Sequence, residues 1–458
     1  MAIIPQPYLL DWDAIDAASD LDRLCLVLKV IPDERLMRLL EQKRHKGRDD
    51  YPVRATWHSV LAGVVYQHPT VEALRRELAR NGELRKLCGF DPGKGMLAVP
   101  TPSAYTHFLE SLLAQPDEIR WMFDDLLEKI RKHLPDLGKY QAIDGKALPS
   151  FAAGRKRDEP VRLRSDGKPD RRADPDADWG VKTKRGKHPD GTAWEKLTRW
   201  FGFELHLLVD SVHELPLNFW VTKASAAESP LLLPIVEETA EKHPEIIKKC
   251  EELSADKGYD STENNQKLFD EHQIAPIIDK RHDWKVGDTT RPVFEDRADN
   301  VVYDVAGTVM CVCPATGDMR PLAPWGYEEA RGCLKYRCPA VAGNYPCPGR
   351  NSCPGAQGDY GKVIRIPLEK DRRMFVPVAR GTKSWKRAYA RRTAVERVNS
   401  RIDRVLSFEL HTIRGLAKMQ ARMGIALVVM LSMALGRLET GQKDQISSLV
   451  APVPRKAA

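Results

Sequence analysis

The segment Tyr140-Gln-Ala-Ile-Asp144-Gly-Lys146 ends a short apolar run on a carboxylate. A second segment, Glu252-Leu-Ser-Ala-Asp256-Lys-Gly-Tyr259, has the same form. We expect both runs to be β-strands with the aspartate at the rim of the sheet, where a following glycine leaves open space. Carboxylates in such positions are hard oxygen ligands that suit Mg²⁺ or Mn²⁺. In isolation, either motif is more often a simple turn.

Strand and helix patterns alternate around these two segments from about residue 138. We expect strands at 139–143, 197–210, 217–223 and 274–278, and helices at 230–242 and 261–272. A β-hairpin followed by alternating helices and strands predicts an α/β fold with a mixed sheet. The polar stretch 154–194 has no apolar period, so we expect a long loop that is mobile unless nucleic acid orders it.

The remaining segments give the predicted domain organisation. Residues 1–135 have helical apolar spacing and are compatible with a helix-turn-helix-like DNA-binding domain or with a helical scaffold that touches no DNA. Residues 136–280 form the first part of the core, 281–380 a Cys-rich insertion, and 381–438 the helices that complete the core. The polar residues 439–458 are expected to be a disordered tail.

The third candidate carboxylate lies in the arginine-rich run Tyr389-Ala-Arg-Arg-Thr-Ala-Val-Glu396-Arg-Val-Asn-Ser400. If this run is one helix, residues three or four apart share a face: Tyr389, Arg392, Glu396, Asn399 and Asp403. The face is either a solvated surface with an Arg392–Glu396 ion pair, or the side on which Glu396 completes a metal site. Basic density and the apolar helix that follows favour the metal site, with Arg392 and Tyr389 on DNA phosphates.

The net charge of +8 is unevenly distributed along the 458 residues. Between residues 361 and 404, 14 Lys and Arg stand against 4 acidic residues, a local charge of +10. Such a block attracts a polyanion such as a nucleic-acid backbone, although a basic helix alone can be a solvated face.

Composition and apolar runs indicate a soluble, cytoplasmic protein. A hydrophobic content of 42% and a charged content of 30% are typical of globular proteins, and the length allows two to four domains. The N-terminus has no secretory signal pattern. The longest apolar run, residues 423–435, is too short to cross a bilayer, so we expect a buried core helix and no membrane partner.

The nine cysteines, without an export signal, indicate a reducing compartment, where metal binding is favoured over disulfides. Six of them fall within one short region, and four thiolates can hold a structural Zn²⁺ in a tetrahedron. The first choice of ligands is Cys333, Cys338, Cys347 and Cys353. Cys311 and Cys313 are alternatives for two of these, and reduced cysteines in a loop-rich insertion are the other interpretation.

In combination, these motifs resemble the DDE transposases of bacterial insertion sequences, in particular the IS4/IS5-type and IS1182-like groups. The resemblance is carried by residues 143–146, residues 255–261 and the pattern Tyr389-x-x-Arg392-x-x-x-Glu396. The stretch Asp174-Pro-Asp-Ala-Asp-Trp-Gly180, the strand pair near 201–210 and Val99-Pro-Thr-Pro-Ser103 are also similar. The similarity extends over roughly residues 50–438.

The resemblance implies an RNase H-like catalytic core with a triad of Asp144, Asp256 and Glu396 that holds Mg²⁺ or Mn²⁺. It implies hydrolysis at transposon ends, followed by attack of the freed 3′-hydroxyl on target DNA. The implied partners are double-stranded DNA, both terminal inverted repeats and target, and a second copy of the chain in a homodimer. The implied location is the bacterial cytoplasm, at the nucleoid.

Several residues are expected to contact DNA: Lys146, Lys257, Tyr389, Arg391, Arg392, Arg397, Arg401 and Arg404. The related signature has a lysine at the position of Asp403, so Arg401 or Arg404 would have to replace its phosphate contact. Related enzymes stack a flipped base on an aromatic residue, and Trp284 and Trp325 are candidates for that role.

Two other functions compete with DNA transposition. A domesticated DNA-binding protein would keep the helical and Cys-rich parts without the chemistry, and the presence of all three carboxylates disfavours it. A nuclease with the same core would cut DNA without joining it, and its products would lack strand-transfer junctions.

Overall fold

The computed structural model describes residues 20–44, 50–156, 159–281, 284–285, 287–295, 300–344, 346–353 and 361–453. Helices come first: α1 (Asp20–Val30), α2 (Glu34–Arg44), α3 (Val53–Val65), α4 (Val71–Arg80), α5 (Gly82–Cys88), α6 (Pro102–Leu113) and α7 (Pro116–His133). Polar side chains cap α4, α5 and α6, as where the Thr70 hydroxyl accepts a 3.1 Å hydrogen bond from the Ala73 amide at the start of α4. The helical prediction is therefore confirmed from residue 20 onward.

A mixed sheet follows, built from β1 (Tyr140–Pro149), β2 (Asp178–Lys187), β3 (Ala193–Asp210), β4 (Pro216–Lys223), β5 (Glu252–Ala255) and β6 (Ala275–Ile278). The strand order is β2-β3-β1-β5-β6, and β4 pairs with the second half of β3. Strand β3 is antiparallel to its neighbours, whereas β1, β5 and β6 are parallel. Three helices connect the later strands: α8 (Leu232–Lys242), α9 (Pro244–Lys248) and α10 (Thr262–Asp270). The predicted α/β fold with a mixed sheet is confirmed.

Strand β1 is longer than the sequence prediction, which ended this strand at Ile143. Parallel pairing with β5 stops at Ile143↔Ala255, but antiparallel pairing with β3 continues to Pro149. Asp144 is thus inside the sheet on its β3 side and at the rim on its β5 side. Because Asp256 follows Ala255, the two aspartates occupy equivalent positions just beyond the parallel pairing.

The polar stretch expected to be a loop contains a long β-hairpin instead. Strand β2 pairs with β3 from Asp178↔Gly202 to Lys187↔Ala193. Gly191 adopts a positive φ of 85° in the connecting turn, and the Asp190 carboxylate accepts a 2.9 Å hydrogen bond from the Thr192 amide. Local turn chemistry therefore orders this segment without any partner.

The insertion forms two small antiparallel sheets with a hydrophobic core of their own. Their elements are β7 (Thr290–Pro292), β8 (Val301–Asp304), β9 (Val309–Val312), β10 (Met319–Pro321), β11 (Ala323–Glu328), β12 (Cys333–Arg337), α11 (Pro339–Ala342) and β13 (Val363–Pro367). Val293, Ile366 and Phe375 are buried in this second core. An ion pair of 2.5 Å between Arg373 Nη2 and Asp260 Oδ2 joins it to the segment after Asp256.

The chain closes with α12 (Lys383–Ala390), α13 (Thr393–Arg404) and α14 (Leu416–Glu439). Helix α14 is long and apolar enough to cross a membrane, but 89% of its apolar window is buried inside the fold, as predicted for a core helix. One hydrophobic core runs from Leu24 in α1 through Phe203 in β3 to Leu431 in α14. The N-terminal helices therefore share their core with the sheet.

The segment after α14 differs from the expected disordered tail. Up to residue 453 it is described and packs on the core, with Leu449 2% exposed. The Arg437 guanidinium donates a 2.6 Å hydrogen bond to the Ala451 carbonyl, and the Arg401 guanidinium donates one of 2.8 Å to the Ser447 carbonyl. Residues 454–458 lie outside the described part.

Candidate active site

Asp144 and Asp256 both lie at the rim where β1 and β5 stop pairing. Each side chain is fixed by a nearby amide: Asp144 Oδ1 accepts from Gly145 N at 2.9 Å, and Asp256 Oδ1 accepts from Gly258 N at 2.7 Å. Burial raises the pKa of Asp144 to about 6, and the negative charge of Asp256 adds to this rise. The mutual repulsion of these two negative carboxylates favours a cation nearby.

Arg392 links Asp144 to Glu396. Its Nη1 donates to Asp144 Oδ2 at 3.0 Å, and its Nη2 donates to Glu396 Oε1 at 2.6 Å. The Arg392 guanidinium therefore joins Asp144, which is 248 residues away in the chain, to Glu396, which is 4 residues away. The sequence predicted that these residues would converge, and the structure brings them together.

The arginine-rich run is not one helix, contrary to the expectation from spacing. Helix α12 ends at Ala390 and α13 begins at Thr393, so Arg392 lies in the turn between them. Glu396 is in the first turn of α13, where the helix dipole stabilises a negative side chain. The break allows Arg392 to point at β1 while Glu396 stays at the helix start.

Three residues that the sequence reasoning missed complete the charged cluster. Lys182 on β2 is 2.9 Å from Glu204 Oε1 on β3 and 3.1 Å from Glu228 Oε1, and it donates at 2.7 Å to the Gly145 carbonyl. Burial raises the pKa of Glu204 to about 7, while Lys182 opposes that rise. A lone acid inside the apolar run 201–209 was a usable signal for Glu204, whereas no sequence feature distinguished Glu228.

The glycines after the two aspartates make room for Glu228. A Cβ atom on Gly145 would lie 2.6 Å from Glu228 Oε1 and 2.7 Å from Glu204 Oε1. A Cβ on Gly258 would collide with the other oxygen of Glu228. The glycines of the Asp-Gly and Asp-Lys-Gly motifs are therefore explained by the Glu228 carboxylate, which packs against the backbone at both positions.

A buried polar pair supports the turn that follows Asp256. The Tyr259 hydroxyl and His206 Nδ1 are 3.1 Å apart, and His206 Nε2 is 3.0 Å from the Thr222 hydroxyl. Burial lowers the pKa of His206 to about 4, so the ring is neutral at physiological pH. This network fixes the turn against the middle of the sheet.

A groove of about 400 Å³ opens beside Glu396. Lys146 Nζ is 2.5 Å from Asp403 Oδ2 on its wall, and Arg404 and Asn399 also line it. Three of the residues predicted to share a helical face, Glu396, Asn399 and Asp403, do so here. At the position where a lysine was expected, Asp403 instead holds a lysine from β1.

The other arginines of this region are held by acids away from that groove. Arg397 and Arg401 both pair with Glu214 in the β3–β4 turn. Arg391 pairs with Glu252, and its guanidinium carbon lies 3.8 Å from the centroid of the Tyr140 ring. Ion pairs thus direct Arg391, Arg397 and Arg401 away from the groove, and the contacts of these arginines with DNA stay a prediction.

The remaining DNA-contact candidates are placed as follows. Tyr389 stacks on Trp385 with centroids 5.0 Å apart, and the Arg392 guanidinium carbon is 5.8 Å from the Tyr389 ring. Lys257 is exposed directly after Asp256. Trp284 is only 6% exposed and belongs to the insertion core, so it is not placed to stack a base, whereas Trp325 is 55% exposed.

The predicted zinc set needs one correction. Cys338, Cys347 and Cys353 line a common cavity, but Cys333 does not. Cys333 lies in β12, and its thiol donates to the Arg331 carbonyl at 2.9 Å. Strand pairing on both sides holds Cys333 there, whereas the alternatives Cys311 and Cys313 both line the cavity.

No group of three or more His, Cys, Asp and Glu side chains in the described part of the chain is already arranged to hold a metal ion. In the carboxylate cluster, Arg392 and Lys182 lie against the acids. The donor set nonetheless fits a hard divalent cation, because Asp144, Asp256 and Glu396 offer carboxylate oxygens around a site that already attracts positive charge.

Comparison with known proteins supplies the family. The model of the transposase DDE domain family matches residues 165–431, more than half of the chain. The chain belongs to the transposase DDE domain family. The part of this DDE transposase that the family model matches contains Asp256, Arg392 and Glu396 and begins after Asp144.

Two other comparisons add little to this transposase assignment. No curated protein sequence matches the chain. Among solved structures, the cryo-EM structure of a piggyBac transposase synaptic complex with hairpin DNA is similar at a TM-score of 0.36 and 11% sequence identity. That likeness covers 94% of this chain and 79% of the other, and is too weak to support any statement about function.

Proposed function

We propose that the chain is a DNA transposase that cleaves DNA at the ends of its element with divalent metal ions and joins the freed 3′-hydroxyl to target DNA. The observation that carries this proposal is that Arg392 bonds both Asp144 and Glu396 in a chain of the transposase DDE family. Asp256 lies close enough to Asp144 for its negative charge to raise the pKa of Asp144.

We further infer that the sheet is an RNase H-like catalytic core. Support comes from the strand order β4-β3-β1-β5-β6. In this order β4, β1, β5 and β6 run in the same direction, and β3 is antiparallel to them. The candidate carboxylates lie where parallel strands end, which is the usual position of sites in such sheets. This topology fits the core implied by the sequence resemblance.

Asp144, Asp256 and Glu396 would hold Mg²⁺ or Mn²⁺. Bound in pairs, such ions stabilise the attacking and leaving oxygens of phosphoryl transfer. The protein's own contribution is to fix the acids: the amides of Gly145 and Gly258 orient the two aspartates. Lys182 balances the charge of Glu204 and Glu228, so that five acids can share this region.

DNA phosphates would lie along the groove beside Glu396. Lys146 and Arg404 line it beside the acids Glu396, Asp403 and Glu409, and Asn399 adds an amide. Arg392 lies between this groove and Asp144, where a guanidinium can hold a phosphate oxygen near the reacting centre. Phosphate contacts of this kind orient DNA and do not by themselves read its sequence.

The test is an assay of DNA cleavage and joining with the purified full chain. Duplex DNA carrying the ends that flank the gene should be nicked in Mg²⁺ and left intact in chelator. Strand-transfer junctions in the products support a transposase. Cleavage without junctions would favour the nuclease alternative, and binding without cleavage would favour the domesticated DNA-binding protein.

Arg392→Gln is expected to lower the cleavage rate by about 10²-fold or more, because a donor at the developing charge is lost. The matched control is Arg397→Gln, since Arg397 pairs with Glu214 and Arg401 still neutralises that acid. The rate of the control should stay within about threefold of wild type. Equal rates for the two variants would remove Arg392 from the site.

Stabilisation of the fold by Mg²⁺ should depend on pH through Asp144. Its pKa is raised from 3.8 to about 6, so ionisation opposes folding, and the metal-free stability from this group falls as pH rises through about 6. Metal binding requires the ionised carboxylate and therefore has the opposite pH dependence. At free Mg²⁺ tenfold above its Kd, we expect about 1.4 kcal/mol of stabilisation at pH 8.

That Mg²⁺ effect should disappear as pH falls below 6, which melting curves at pH 5 to 8 with and without Mg²⁺ can measure. Asp144→Asn is the control, because it should remove the Mg²⁺-dependent rise at every pH. A Mg²⁺ effect that is independent of pH, or that survives in the variant, would contradict the assignment of Asp144 as a ligand.

A further inference from the structure

The Cys-rich insertion places five of its six cysteines around one small cavity. The cavity has a volume of about 30 Å³, roughly the space of one water molecule. Its cysteines are Cys311, Cys313, Cys338, Cys347 and Cys353. All are free thiols, and a site this small and rich in sulfur suits a single soft-ligand metal ion better than an organic ligand.

The five thiols reach the cavity from three parts of the chain. Cys311 lies in β9 and Cys338 directly follows β12, so they come from different sheets of the insertion. Cys347 and Cys353 belong to a tight loop in which the Arg350 amide donates to the Cys347 carbonyl at 3.1 Å. The cavity is therefore the place where the two small sheets and this loop meet.

Cys311 lines the cavity together with Cys338, Cys347 and Cys353, and all four are half-buried. Negative thiolates at these positions would repel one another. A bound cation of charge +2 removes that repulsion, as in other sites with four sulfur ligands.

Cys313 differs from these four in its burial, since its side chain is buried whereas the other four are half-buried. A Cβ atom on Gly349 would lie 2.6 Å from the Cys313 sulfur. Cys313 thus fixes the loop that carries Cys347 and Cys353, and so acts as a positioning residue.

We propose that Cys311, Cys338, Cys347 and Cys353 bind one structural Zn²⁺ ion that joins the two sheets of the insertion. Each thiol loses its proton on binding and supplies a thiolate at about 2.3 Å from the metal. The side chains turn into the cavity from their present positions. This site is separate from the carboxylate cluster and does not depend on the proposed function.

The test is metal analysis of the full chain purified without chelator. One zinc per chain is expected in wild type, and treatment with a strong chelator should expose four additional reactive thiols. Replacement of zinc by Co²⁺ should give the visible absorption of a four-thiolate site. These measurements use only the wild-type chain, so they do not depend on the folding of a variant.

Variants then assign the ligands. Cys338→Ser and Cys353→Ser should lose the zinc, whereas the matched control Cys333→Ser should retain it, because its thiol does not line the cavity. The proposal is overturned if wild type contains no zinc and chelator exposes no thiols. It is also overturned if Cys333→Ser loses the metal, or if Cys313→Ser loses it while Cys311→Ser retains it.

Discussion

Asp144→Asn is expected to lower the rate of Mg²⁺-dependent DNA cleavage by at least about 10³-fold. Loss of a single donor at a developing charge costs about 10²–10³-fold, and loss of a metal ligand should cost no less. Asn has nearly the same shape, so the amide of Gly145 and the pairing of β1 with β3 are retained. The same result is expected for Asp256→Asn and Glu396→Gln.

Binding of DNA should survive these three substitutions, because the phosphate contacts are proposed for other side chains. The rate is measured as initial cleavage of duplex carrying the element ends, and binding as a mobility shift in the same buffer with Ca²⁺. Glu263→Gln is the control, since Glu263 pairs with Lys267 on the exposed side of α10. Cleavage at the wild-type rate by Glu396→Gln would exclude Glu396 from the site.

Lys182→Met is expected to destabilise the fold by about 1–3 kcal/mol at pH 8, the usual cost of leaving a buried charged group without its partner. The acid left behind is Glu204, whose side chain is 3% exposed. Lys182 itself is 37% exposed, so solvent screening keeps the effect below that of a fully buried pair. Met preserves the length and the apolar part of the side chain.

The effect of Lys182→Met should shrink as pH falls. The pKa of Glu204 is raised to about 7, mainly by burial, and loss of Lys182 raises it further. Below about pH 6 this acid is protonated in both proteins, so the lost charge attraction costs less. Urea unfolding at pH 5.5 and pH 8 measures the difference, with Lys267→Met as an exposed control. A pH-independent effect would contradict the coupling of Lys182 to Glu204.

Much of the sheet and two of the site residues could be predicted because local sequence carries the signal. Apolar runs that end at Asp144 and Asp256 mark the ends of parallel pairing, although β1 continues to Pro149 on the side of β3. That continuation depends on a partner strand about 60 residues away, so sequence near Asp144 could not reveal it. The β2–β3 hairpin was missed even though Pro189-Asp190-Gly191 is a strong turn signal.

The charged contacts of the site depend on tertiary structure and were harder to predict. Spacing correctly grouped Glu396 with Asn399 and Asp403, but it could not show that a turn at Arg392 redirects this side chain toward Asp144. Glu228 follows β4 after the short segment 224–227, Ala-Ser-Ala-Ala, and only the folded chain brings it against Gly145 and Gly258. Cysteine spacing likewise could not distinguish Cys333 from Cys311.

Anomalous scattering from crystals of the full chain with Mn²⁺ and a cleaved DNA end would locate the metal ions. The account predicts two peaks roughly 3.5–4 Å apart, bound by Asp144, Asp256 and Glu396, with Arg392 moved off at least one carboxylate. Mn²⁺ bound elsewhere while Arg392 still joins Asp144 to Glu396 beside the DNA end would contradict it.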